Sequence, residues 1–236
     1  MAHAIRAPSR AGQGGYRALV PAVIGPEQAV TLARRWIADG RRRILGVTGP
    51  PGAGKSTVTE LLAGELGDAC AVVPMDGFHL AQATLERLGR AHRKGAPDTF
   101  DADGYVALLR RLRMDDGATV WAPAFRRDLE EPVAGSIAVR PDVVLVVTEG
   151  NYLLLPDGPW ADVAPLCDEV WYVDVPDEVR VPRLVARHVA FGRSPAAARA
   201  WVERSDEANA RLVAAHRHVA DRVLQPGSVR ASLRQA

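Results

Sequence analysis

Gly49-Pro50-Pro51-Gly52-Ala53-Gly54-Lys55-Ser56 fits the pattern G-x-x-x-x-G-K-[ST] at every fixed position. Each residue type has a physical reason. Glycines let the backbone wrap closely around a ligand and take up positive φ. Successive N–H groups then turn inward as an anion nest. A helix starting at the loop adds its positive end. Lys55 is placed to reach the outer phosphates, and the Ser56 hydroxyl to hold Mg2+. The reading assigns Gly49, Pro50, Gly52, Ala53, Gly54, Lys55, Ser56 and Thr57 to a nucleoside triphosphate, ATP with Mg2+.

The flanks agree with a strand–loop–helix unit. Arg43 to Thr48 (RILGVT) reads as a short strand, and Lys55 to Leu66 as a helix. Upstream, Pro26 to Asp39 has a helix-start proline and apolar spacing of three and four. Downstream, Ala71 to Met75, Val143 to Thr148 and Val170 to Val175 read as strands. Val143 to Thr148 is continuously apolar, as in a strand buried on both faces. Leu80–Gly89, Asp103–Met114, Asp177–Phe191 and Ser194–Ala215 read as helices, and Arg222–Leu224 as an edge strand. Strands alternating with helices predict an α/β fold, a P-loop NTPase with three layers: one parallel sheet and helices on both faces. Residues 1–20 are expected as a disordered tail, and 21–236 as a single domain with an arginine-rich lid around 180–195.

Composition narrows the function classes. The chain has 236 residues, 47% hydrophobic and 25% charged, with net charge +2. A core of ordinary size is available, and a charge this small gives no footprint for nucleic acid. No apolar run reaches the roughly 18 residues of a membrane helix. Cys70 and Cys167 lie far apart and read as reduced core thiols in a cytoplasmic protein. A homodimer is compatible with the sequence. Lysine occurs twice among 30 basic residues, at Lys55 and Lys94. Lysine and arginine differ in size, hydration and fork geometry, so each lysine marks a place where arginine is a poor substitute.

Two acids close apolar strands. Asp76, in Pro74-Met75-Asp76-Gly77-Phe78-His79, follows the second strand, at the sheet edge where ligands bind in parallel sheets. A carboxylate there can orient an acceptor hydroxyl and take its proton, and a turn or cap aspartate is the alternative. Glu149 ends Val143 to Thr148, where an acid holds Mg2+ together with Ser56; a solvated strand-end charge is the alternative. Asn151 and Tyr152 follow and are candidates to line the acceptor pocket. A switch GTPase would carry N-K-x-D and a transport ATPase L-S-G-G-Q; neither occurs.

Asp76-Gly77-Phe78, Leu85-Glu86-Arg87 and Arg93-Lys94-Gly95-Ala96-Pro97-Asp98-Thr99-Phe100-Asp101 resemble the P-loop small-molecule kinases that include uridine kinase and bacterial pantothenate kinase. Glu149-Gly150-Asn151-Tyr152-Leu153-Leu154-Leu155 resembles the E-G-N-Y-L-L-L of bacterial proteins called nucleoside/nucleotide kinase-like or fructose-transport-system kinase-like. The resemblance covers about Arg43 to Leu224. It implies that Asp76, with Lys55 and Arg187, is catalytic. It implies that Lys94 and Asp101 contact the acceptor and that Arg183, Arg187 and Arg193 form a lid over the phosphates; His79, Phe100, Arg127, Asn151 and Tyr152 are further candidates for the acceptor pocket. Lys94 as an ordinary loop residue, His79 as a buried structural histidine and the arginines as a solvated helix face stay open. Phe125-Arg126-Arg127-Asp128 stands where pantothenate kinases have Y-S-H-L, so the histidine is missing; the two arginines bind an anionic acceptor or pair with Asp128, Glu130 and Glu131. His188 replaces the acid that follows the family's lid arginine. The expected activity is transfer of the γ-phosphoryl group of Mg·ATP to a hydroxyl of a small molecule: a nucleoside, a sugar or a pantothenate-like alcohol. The rival is an acceptor-independent P-loop ATPase with a regulatory or chaperone-like role.

Overall fold

Among the described residues, short runs rich in aliphatic side chains form eight strands: β1 (Ala22–Ile24), β2 (Arg43–Thr48), β3 (Cys70–Pro74), β4 (Val120–Arg126), β5 (Glu131–Val139), β6 (Leu145–Gly150), β7 (Glu169–Val173) and β8 (Arg222–Leu224). The computed structural model describes residues 20–227, so the expected tail falls outside them except for Val20. Six strands pair in parallel in the order β1-β8-β7-β2-β6-β3.

Side-chain alternation builds the layers. In β2, Leu45 and Val47 point to one face and Ile44 to the other. Leu145 and Val147 against Val146, and Trp171 and Val173 against Val170 and Tyr172, repeat the pattern. One face is covered by α1 (Pro26–Ala38) and α2 (Lys55–Leu66) through Ala33, Val58 and Leu62. The other is covered by α4 (Ala102–Met114), α5 (Val163–Leu166) and α8 (Glu207–Ala214) through Tyr105, Leu109, Val163 and Val213. Burying one such Leu or Val side chain is worth about 1.5–3 kcal/mol. Three further helices complete the set: α3 (Gln82–Arg87), α6 (Asp177–Ala190) and α7 (Pro195–Trp201). The three-layer parallel α/β arrangement expected from the sequence is present.

Four details differ from the sequence reading. β8 is internal, because the unforeseen β1 pairs along its other side. β6 runs two residues further, so Glu149 lies within a strand paired to both β2 and β3. The helix expected over Ser194–Ala215 is interrupted by a π turn at Val202–Asp206. A two-stranded antiparallel sheet, β4–β5, was not foreseen.

That hairpin matters for the site. Its β4 backbone packs on the turn Met75–Phe78, which carries Asp76. A Cβ at Gly77 would sit 2.4 Å from the Pro123 carbonyl oxygen. Glycine is therefore required where the hairpin crosses the turn.

Candidate active site

The carboxyl ends of β2, β3 and β6 open into one cleft of about 900 Å³. In an open parallel sheet this is the ligand edge. The loop after β2 is shaped for close approach: Gly52 has φ +78°, and a Cβ there would lie 2.7 Å from Leu184 of α6. Gly54, in the left-handed region, precedes α2 as its N-cap. Ala53 is buried beneath the loop in the α1–α2 core. Lys55 donates to the carbonyls of Gly49 (3.0 Å) and Pro50 (3.2 Å) and to Asn151 Oδ1 (2.7 Å). Desolvation lowers the Lys55 pKa, while the charges of Glu149 and Asp76 act in the opposite sense. Thr57 lines the cleft beside Ser56.

Across the loop, Ser56 Oγ and Glu149 Oε1 lie 3.5 Å apart. Two hard oxygens beside a phosphate cradle suit Mg2+, which takes one or two protein oxygens and completes its shell with phosphate and water. Among the described residues, no group of three His, Cys, Asp or Glu could hold a metal by itself. An ion here would rely on the phosphates it accompanies.

Glu149 is buried. Loss of hydration, then the Asp76 charge, push its carboxyl from 4.5 up to about 7. The folded protein thus binds this proton more tightly than the unfolded chain does. The stabilisation is complete below pH 4.5 and lost as pH rises through about 7. Glu149→Gln should therefore stabilise the ligand-free protein at pH 8, by roughly 1–3 kcal/mol, and do little at pH 4.5. Thermal melts of both proteins across this range check it; an equal melting temperature at pH 8 contradicts it.

Asp76 lines the cleft opposite the loop, with His79 one turn on. His79 donates through Nδ1 to the Asp76 carbonyl at 2.9 Å and stacks on Phe100 at 4.0 Å. Burial lowers its pKa, opposed by the Asp76 charge and the bond to the Asp76 carbonyl and aided by the Lys94 and Arg127 charges. Phe100 and Lys94 also line the cleft. Lys94 donates to the Glu130 carbonyl at 2.8 Å and lies 5.4 Å from the Phe125 ring centroid.

Two acceptor-side assignments fail. Asp101 accepts the Gly104 N–H at 2.9 Å and caps α4 instead of lining the cleft. Tyr152 is fully buried, edge-on to Phe100 and Trp160, and its hydroxyl donates to the Gly95 carbonyl. It supports the Lys94–Gly95 loop from within the core.

Arg183, Arg187 and Arg193 all line the cleft, and Arg193 stacks over Trp201 at 4.2 Å. Desolvation in the cleft, then the Arg127 charge, hold Arg187 below the ordinary arginine pKa. His188 pairs with Asp206 at 2.7 Å.

Sequence reasoning missed Arg180, Asp206 and Asn209. Arg180 is 1% exposed and reaches the Pro51 carbonyl (3.2 Å), Asp177 and Glu207 (2.6 Å). It ties the loop to α6 and α8. The π turn brings Asp206 and Asn209 to the cleft wall, and Asn209 donates to the Gly95 carbonyl at 3.3 Å. Such turns recur at functional sites. The clue was the polar run Ser205-Asp206 with Asn209 inside an otherwise helical pattern.

Among the described residues, no helix is long and apolar enough to cross a membrane. The chain is 35% identical to YggC of Escherichia coli, over 73% of each chain. It is 33% identical to a pantothenate kinase of Lacticaseibacillus casei, over 56% of this chain and 44% of that one. A crystal structure from Silicibacter sp. TM1040, named a "putative fructose transport system kinase", superposes with a TM-score of 0.74 at 35% identity, covering 84% of this chain and 98% of that one. The Phosphoribulokinase / Uridine kinase family matches residues 44–231. With that match joined to an intact phosphate loop, the chain belongs to the Phosphoribulokinase / Uridine kinase family and is a P-loop kinase.

Proposed function

We propose that the protein uses Mg·ATP to phosphorylate a hydroxyl group of a small molecule. The observation that carries this reading is the placement of Asp76: on the wall of the same cleft as Lys55, Ser56 and Glu149, at the end of the adjoining edge of the sheet. ATP would supply the phosphoryl group, and Mg2+ held between Ser56, Glu149 and the phosphates would offset the charge on its oxygens.

The chain's own residues have separable tasks. The Gly49–Ser56 loop binds the phosphates, and Lys55 and the lid arginines neutralise developing charge. Ser56 and Glu149 are the metal-side oxygens. Asp76 orients the acceptor hydroxyl and receives its proton. The lid helix excludes water from the cleft, which suppresses hydrolysis.

The test is ADP release from Mg·ATP with and without a panel of alcohols. Turnover that requires one class of acceptor is expected. Rapid ATP hydrolysis indifferent to every acceptor would instead favour a regulatory ATPase.

A further inference from the structure

The β4–β5 hairpin brings Arg127 to the acceptor half of the cleft, and its Glu130 carbonyl holds Lys94, from the Lys94–Gly95 loop, beside it. Alternation along the chain turns Phe125 and Arg127 toward the cleft and Arg126 away from it. Arg126 is satisfied outside by Asp128, at 2.9 and 2.7 Å. Arg127 lies 5.7 Å from the Phe191 ring centroid at the end of α6, and Lys94 approaches from the other side over Phe125. Neither Arg127 nor Lys94 forms an ion pair with a carboxylate among the described residues.

Glu130 also lines the cleft, where its backbone carbonyl rather than its carboxylate meets Lys94. The other nearby acids are engaged elsewhere. Glu131 accepts the Gln82 N–H at the start of α3, at 2.9 and 3.2 Å from its two oxygens. Asp206 holds His188. Asp76 and Glu149 are committed to the proton and metal roles. Lys94 is also held in place: the Gly95 carbonyl beside it accepts from both Tyr152 and Asn209. Preorganisation of this kind reduces the cost of binding. Lys94 is one of only two lysines in the chain, and a compact ammonium suits a confined oxyanion.

We propose that the acceptor carries an oxyanion, a phosphate monoester or a carboxylate, held by Arg127 and Lys94 beside the hydroxyl that faces Asp76. The proposal rests on the kinase reading above. In the step it serves, the acceptor oxygen bonds to the γ-phosphorus, the bond to the leaving ADP breaks, and the hydroxyl proton passes to Asp76. Arg127 and Lys94 fix the distance between anion and hydroxyl, and so select among acceptors.

The experiment measures ADP formation with three matched acceptor sets: neutral sugars and nucleosides, their phosphate monoesters, and hydroxycarboxylates of similar size. One anionic set should exceed its neutral counterparts in kcat/KM by about 10²-fold or more. Which anionic set is turned over distinguishes the two sources of charge. Arg127→Ala and Lys94→Ala should each raise KM for that acceptor by about 10-fold or more, with the affinity for Mg·ADP unchanged. Calorimetric titration of the protein·Mg·ADP complex with the same three sets gives a readout independent of turnover. Neutral acceptors turned over as well as anionic ones, or a titration in which neither anionic set binds, overturns the proposal. Anionic ligands that bind while no acceptor of any set is phosphorylated would leave the oxyanion site standing and remove the kinase reading.

Discussion

Asp76→Asn should reduce acceptor-dependent ADP formation by about 10²–10⁴-fold, the usual worth of a positioned general base. The substitution keeps the shape and polarity of the side chain and removes its ability to take a proton. Asp76 belongs to a different segment from the phosphate loop, the turn that Gly77 lets the hairpin cover, and forms no hydrogen bond to that loop among the described residues. Mg·ADP should therefore bind the variant nearly as it binds the wild type. The decisive measurement pairs the two: single-turnover transfer by quench, and nucleotide affinity by calorimetry. A variant that retains most of its transfer rate would show that Asp76 is not the base. If transfer and affinity fell together, Asp76 would be supporting the loop instead.

Lys55→Ala should have a comparable effect by a different route, lowering both nucleotide affinity and transfer by about 10²–10³-fold. Lys55 bridges two loop carbonyls and Asn151, so its loss removes a cation from the phosphates and a fastening from the cradle. Lys55→Arg should fail to rescue either quantity. A planar fork cannot place its charge where an ammonium meets three oxygens converging from the loop and from Asn151. Rescue by arginine to near wild-type affinity would mean that charge alone suffices and that the geometry of the site is forgiving.

Much of the donor side could be read from the sequence because it is local. A loop, the strand before it and the helix after it occupy one unbroken stretch, Arg43 to Leu66. Both elements appeared with the expected limits, β2 at Arg43–Thr48 and α2 at Lys55–Leu66. Asp76 and Glu149 were legible for a related reason: parallel strands deliver their carboxyl ends to one edge. The hairpin was not legible. Pro123 interrupts β4, and Pro132 and Gly135 dilute β5, so neither run carries a clean period of two. Only the packing of Pro123 against Gly77 reveals it as a wall of the site.

The arginines show a second limit. The sequence singles out Arg183 and Arg187 and gives no sign that Arg180, one turn earlier, differs from them. In space, Arg180 is an internal tie with two carboxylates and a loop carbonyl, while its neighbours face the cleft. Long-range partners such as Glu207 decide this, and no local pattern encodes them. Asp101 was misread in the opposite direction. An aspartate just before a helix is first of all a cap, and that local signal outranked its place in a family motif.

The pairing of β1 with β8 has a bearing on how the chain acquires its form. Ala22, Val23 and Ile24 meet Arg222, Val223 and Leu224, so the first strand of the described residues finds its place only beside the last of them. On a ribosome adding about 5–20 residues per second, β1 waits at least ten seconds for its neighbour. Until then the apolar face of α1 has only part of its final anchorage. Closing so long a loop is slow for an isolated chain as well. A late phase in refolding, reported by Trp36 as it settles against Trp171, is the natural signature of this sheet order.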